Sequence, residues 1–273
     1  MITDISSDGQ RILYIRNQDG TSGNPLKIRP YPGAWWAVTL DGSTSFADTS
    51  TSGSIVEFYL TDYVEFEGFR ITGGYGAGLR NDIDGTTGAV YRRNLIYDNR
   101  GAGANNPAGM YIHTCNDCII SHNFLYDNGD AGGSQNNHQI VAFRGTGTRF
   151  HHNRYWLSDA AGFVAEFSHC FKYKHSQASL TATAESDREI FINCNNGLSS
   201  GQAGHHIHDN IFLDSSDYAI RYLDQGGSFW PVNIVVERNT IIGSRPILTS
   251  WVRNNPNGVE DASEPGTFVW RQN

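Results

Sequence analysis

The run Cys170-Phe-Lys172-Tyr-Lys174-His175 holds the densest set of reactive side chains in the sequence. Strand alternation that turns Phe171 and Tyr173 inward turns Lys172 and Lys174 outward together. Two ammonium groups on one face, two residues apart, lower each other's proton affinity. A lysine tuned this way can accept a carbon-bound proton beside a carboxylate. The plain alternative is a solvated strand face. Holding two outward lysines and a histidine together is costly, however, unless an anion binds them.

Strands aligned in register bring further groups to the same face. One column reads Arg80, Tyr111, Val141, Lys172, Ser199, Arg221, and the next reads Asp82, His113, Phe143, Lys174, Gly201, Leu223. In stacked strands, each member lies about 4.8 Å from the next. Arg221 could neutralise a substrate carboxylate and stabilise enolate-like charge. Tyr111, His113 or His175 could protonate a leaving oxygen. Arg80, Arg144 and Glu166 are the remaining groove candidates for substrate contact, with Glu166 also a partner for either lysine. A register slip of one residue would invert every face.

Other polar clusters carry less. Asn81-Asp82-Ile-Asp84 offers two carboxylates, Asp82 and Asp84, a thin set for calcium. His151-His152 and His205-His206-x-His208 lie beside the corners rather than in the groove, and polar stacking accounts for them better than metal binding. Cys115 and Cys118 make one C-x-x-C, and Cys170 with Cys194 does not supply the second pair that zinc would want. Buried thiols or a local disulfide are expected instead. Trp35, Trp36, Tyr155, Trp156, Phe229 and Trp230 could be sugar platforms, although such rings more often pack beneath loops.

The elements that position these residues follow from a repeat. An apolar residue, two variable ones, Asn and a short apolar run recur around Asn94, Asn123, Asn153, Asn193, Asn210 and Asn239. Successive Asn stand 29, 30, 40, 17 and 29 residues apart, so the third interval carries an insertion between Lys174 and Asn193. Phe-Glu-Gly68-Phe-Arg-Ile resembles the unit with Gly replacing Asn. Asn at a strand corner tolerates the left-handed region, and stacked Asn side chains can bond one another. A second strand series, around Leu79, Ile112, Val141, Lys172, Ser199 and Arg221, advances with the first. Arg11–Arg16, Pro25–Arg29 and Ser54–Tyr59 read as earlier rungs. Helical repeats would need longer 3.6-periodic segments. The pattern therefore predicts an all-β solenoid, a right-handed parallel β-helix over residues 1–253, with a polar tail or cap over 254–273. No amphipathic cap precedes Arg11, so either the chain starts short of its cap or another segment covers the first rung.

Composition sets outer bounds. Thirty Gly among 273 residues show no collagen-type triplet and suit many sharp turns. A net charge of −8 argues against nucleic acid as the main ligand, while a local basic groove can still take an acidic polysaccharide. No stretch approaches the roughly 20 apolar residues of a membrane span. Met1–Gln10 is polar and lacks the apolar core of a secretion signal.

The stretch Asp19-Gly-Thr-Ser-Gly-Asn-Pro25-Leu-Lys-Ile-Arg-Pro-Tyr-Pro-Gly33, followed by Leu40-Asp-Gly42, resembles the early rungs of the pectate-lyase-like superfamily. That resemblance implies a secreted or extracellular protein and, among several activities, a polysaccharide lyase. The pairing of Lys with Arg is similar to that in alginate and chondroitin lyases of this fold. The Asn-Thr-Asp, Asp-Asp and Gly-His-Gly set of polygalacturonases and the Arg-x-Pro-x-x-Arg segment of the major pectate lyases are absent. The leading expectation is a lyase acting on an acidic, uronate-containing glycan. Its rivals are a non-catalytic carbohydrate-binding or adhesion module and, less favoured, a glycoside hydrolase using Asp82, Asp84 or Glu166.

Overall fold

A computed structural model describes residues 11–31, 33–43, 54–81, 85–100, 108–129, 138–158, 169–174, 183–201, 203–222, 233–248 and 269–271. Every regular element among them is a β-strand. The chain visits three sheets in a fixed order and then repeats. One such rung runs Ala108–His113 in the first sheet, Ile119–Ser121 in the second and Phe124–Tyr126 in the third. The next rung, His138–Phe143, Thr148–His151 and Arg154–Trp156, pairs with it in parallel on all three sheets. The sheets contain nine, nine and eight strands. Long parallel sheets threaded this way agree with a parallel β-helix.

Short strands form because each gives one or two residues to the interior. In the third sheet Ile71, Ile96, Leu125, Tyr155, Phe191 and Phe212 stack in one buried column. In the second, Phe66, Tyr91, Ile120 and Phe150 do the same. Ring centroids of Phe191 and Phe212 lie 4.6 Å apart, close to one strand spacing. Tyr155 belongs to this core and is no sugar platform: an inward strand position decides it. Trp35, Trp36 and Trp156 are exposed, while Phe229 and Trp230 lie outside the described residues.

The corner between the second and third sheets carries the expected amide ladder. Asn94 Nδ2 donates to Asn123 Oδ1 and Asn123 Nδ2 to Asn153 Oδ1, at 3.2 and 2.9 Å. The series resumes from Asn210 to Asn239 at 2.9 Å. Between them the ladder position belongs to Glu189, which accepts from Asn153 Nδ2 at 2.9 Å. Asn193 instead occupies the next corner and donates to the Leu157 carbonyl. The longer connection sits between Lys174 and Ala184, where the chain leaves the first sheet for the second.

Of the repeat Asn residues only Asn193, at φ 54°, holds the expected left-handed backbone; in the ladder it is assigned differently. Arg93, His122, His152, Arg188, Asp209 and Arg238, each one residue before a ladder position, hold φ between 55° and 57°. The ladder residues do not. Their side chains must point inward to reach the next rung, so the preceding residue makes the bend. Gly68, with φ 86°, matches that preceding position, and Phe69 stands in the ladder column.

Cys115 and Cys118 form the local disulfide that was one of the two expected outcomes, and Cys170 pairs with Cys194 in a second. The second ties the lysine-bearing strand to the corner that closes its own rung, between Ile190–Ile192 and Asn196–Ser200. Within the sequence-defined tail, Val269–Arg271 adds a parallel strand beside Val235–Glu237.

Candidate functional site

The outward face of the first sheet is the candidate site. Arg80 pairs with Tyr111, Tyr111 with Val141, Val141 with Lys172, Lys172 with Ser199 and Ser199 with Arg221. His113, Phe143 and Lys174 form the neighbouring column. Both columns keep the register read from the sequence, because inward Met110, Ile140, Phe171, Leu198 and Ile220 lock the opposite face into the core.

Lys172 is only 9 % exposed, although it points away from the core. Burial, then the charges of Lys174 and Arg221, pulls its ammonium down to about 7. Charge repulsion alone had been expected; loss of water contributes more. Burial also lowers Lys174. Its Nζ lies 4.7 Å from the centre of the Phe143 ring, a cation–π contact that fixes the ammonium beside the column.

Aromatic groups continue the face toward earlier rungs. Tyr111 and His113 lie 5.0 and 5.3 Å from Phe143, measured between ring centres. Arg80 sits 5.3 Å over Tyr111. Asn81 grips the main chain of His113 in both directions, donating to its carbonyl at 2.7 Å and accepting from its N–H at 2.6 Å. The His113 ring contacts Thr114 Oγ1 through Nδ1 at 2.8 Å. Arg221, also 9 % exposed, is the last of the column's candidate residues, with Leu248 paired beyond it.

Two residues of this face escaped the sequence reading. His138 and His169 pair across adjacent rungs, three positions before Val141 and Lys172. Both are buried, and burial holds both well below the usual histidine range, with Lys172 the next cause. Neutral imidazoles therefore flank the lysines. His169 Nδ1 meets Ser199 Oγ at 2.5 Å, which ties this flank to the Lys172–Arg221 column. Their equal offset from the aligned column was the available signal.

Other candidates fall elsewhere. Arg144 is an exposed turn residue with φ 53°, just past Phe143, and its carbonyl accepts from the Tyr173 hydroxyl at 3.4 Å. Asp82, Asp84, Glu166 and His175 lie outside the described residues, as do Gly201's column partners Asp82 and Leu223. From Arg80 to Arg221 the outward positions carry no carboxylate among the described residues. His205 is buried between Ser186 Oγ and Ser200 Oγ, each at 2.8 Å. His206 and His208 face Glu237 and Glu185. Polar packing thus accounts for all three.

No family model matches the chain, and no curated protein matches it. Among solved structures it is similar to an alginate lyase from Paenibacillus sp. str. FPU-7, at 14% identity and TM-score 0.51, covering 87% of this chain and 85% of that one. It also aligns with a mannuronic-acid-specific polysaccharide family 6 lyase from human gut microbiota, at 12% identity and TM-score 0.44, covering 86% and 68%. At such identity the first likeness shows a shared fold.

Proposed function

We propose that the protein is a secreted polysaccharide lyase that cleaves an acidic, uronate-containing glycan by β-elimination. The observation that carries this reading is Lys172, buried on an outward face between Lys174 and Arg221 without a neighbouring carboxylate among the described residues. Such a face attracts a polyanion. The fold shared with an alginate lyase agrees with it, as do two disulfides, which persist in oxidising compartments. We take the coil to be right-handed, the hand that twisted parallel strands favour in their crossovers.

In this mechanism the neutral amine of Lys172 removes the proton on the carbon bearing the uronate carboxylate. The released electron pair forms a carbon–carbon double bond, and the glycosidic carbon–oxygen bond on the adjacent carbon breaks. Arg221 pairs with the carboxylate and stabilises the charge developing there. Lys174 adds positive potential at the same place. Tyr111 or His113 gives a proton to the departing oxygen, with His175 the third candidate. Arg80 and Arg144 hold carboxylates of flanking sugars.

Incubation with alginate, pectate, ulvan and glycosaminoglycans tests this directly. The expected result is rising ultraviolet absorbance from an unsaturated uronate end on one of them. New reducing ends without that absorbance would mean hydrolysis and overturn the mechanism. Binding without cleavage that survives Lys172→Ala with Lys174→Ala would leave a carbohydrate-binding module in its place.

A further inference from the structure

Opposite the groove face, the corner between the second and third sheets gathers three histidines from two rungs. His122 follows the strand Ile119–Ser121; His151 ends the strand Thr148–His151, and His152 makes the next bend. One nitrogen from each lies within 4.8 Å of the others. His151 Nδ1 and His152 Nδ1 are 2.9 Å apart. The His122 and His152 rings lie nearly parallel with centres 4.8 Å apart. Among the described residues, the hydrogen bond these rings make is the one between His151 and His152.

We propose that His122, His151 and His152 form a binding site for a divalent transition-metal ion of borderline softness, Zn²⁺ being the representative probe. Zinc holds imidazole nitrogen at about 2.0–2.1 Å in a tetrahedral shell, which puts two donors on one ion about 3.3–3.4 Å apart. The His151–His152 pair, at 2.9 Å, needs to open by only a few tenths of an ångström to reach that spacing. His122 is exposed, so rotation of its ring can bring in the third donor, and water completes the shell. All-imidazole donors suit zinc, nickel or copper rather than calcium or magnesium.

The surrounding charges permit a cation. Arg92 and Arg93 face the corner from one rung but are held by Glu67 at 2.6 and 3.2 Å, and Arg92 also by Glu65. Arg149 and Arg188 face it from the other side but are held by Asp187 at 2.8 and 2.7 Å, and Arg149 also by Glu185. Four arginines thus meet four carboxylates. Burial, together with neighbouring cations, lowers the proton affinity of all three rings, His151 to about 4, so their lone pairs stay available at neutral pH. Because the donors come from successive rungs, a bound ion would staple one rung to the next.

Titration of the full, untagged chain with Zn²⁺ after chelator treatment tests the site calorimetrically. The expected result is one ion per chain, at least tenfold weaker in His122→Ala and lost in His151→Ala with His152→Ala. Cobalt gives an independent readout: visible absorption bands should form on the parent chain and vanish in His122→Ala, whose exposed position keeps that variant folded. Failure to bind either ion would overturn the proposal. So would binding unchanged in these variants, or binding abolished only by His206→Ala with His208→Ala, which would place the ion elsewhere. None of these outcomes depends on polysaccharide cleavage.

Discussion

Lys172 and Arg221 stand two rungs apart in one outward column, with Ser199 between them. Parallel strands repeat at about 4.8 Å, so their main chains are separated by about the length of two sugar units or less. Arg221 contributes to lowering the Lys172 ammonium, and both side chains are nearly enclosed. Base and carboxylate partner are therefore one electrostatic unit, and substitutions in either should be read through the other.

Removal of the base should be severe. General base catalysis contributes roughly 10²–10⁴-fold, so Lys172→Ala should lower kcat by about that factor with KM little changed. Lys172→Arg keeps the charge but stays protonated, and it should be nearly as inactive. Arg221→Ala should lower kcat and raise KM together, because it contacts the carboxylate before and during reaction. Steady-state kinetics on the responsive glycan, with circular dichroism to check folding, measures all three.

The pH profile should report the lysine. Only neutral Lys172 accepts a proton, so kcat/KM should rise with pH and level off above about 7. Lys174→Met removes one positive neighbour and lets Lys172 hold its proton more tightly. The acidic limb of the profile should then move to higher pH. An unmoved limb would remove Lys172 from the role of base.

Glu189 gives a stability prediction with a definite sign. Burial in the amide ladder raises its carboxyl to about 8, above its unfolded value. The folded chain then binds the extra proton between these limits, so the contribution is full below the unfolded value and is lost as pH rises through about 8. Glu189→Asn restores the ladder amide and cannot ionise. Its melting temperature should exceed that of the parent chain, by a margin that widens from pH 5 to pH 8.

Cys170 and Cys194 are fully buried and close a span of 24 residues. A loop of this size is worth roughly 3 kcal/mol through the unfolded chain. Cys170→Ala with Cys194→Ala should therefore lower the unfolding free energy by about that amount in denaturant titration. Because Cys170 lies two residues from Lys172, the same variant should also lose activity before it unfolds.

The repeat was legible in the sequence because a stacked rung reuses the same few physical solutions. Apolar residues recur where they face the core, amides recur where side chains can bond between rungs, and alternation fixes what points outward. That logic placed Lys172, Ser199 and Arg221 in one column and His113, Phe143 and Lys174 in the next. Tertiary structure decided what spacing cannot encode. It put Glu189 rather than Asn193 in the ladder, since a neutral carboxyl oxygen can accept in place of an amide. Left-handed φ fell on the residue before each ladder position, because the corner must bend before the side chain can turn inward. Cys170 found Cys194 through a coil that brings distant residues together. Enclosure of Lys172 came from its neighbours in three dimensions, so only the folded chain reveals that lost hydration, more than charge repulsion, loosens its proton.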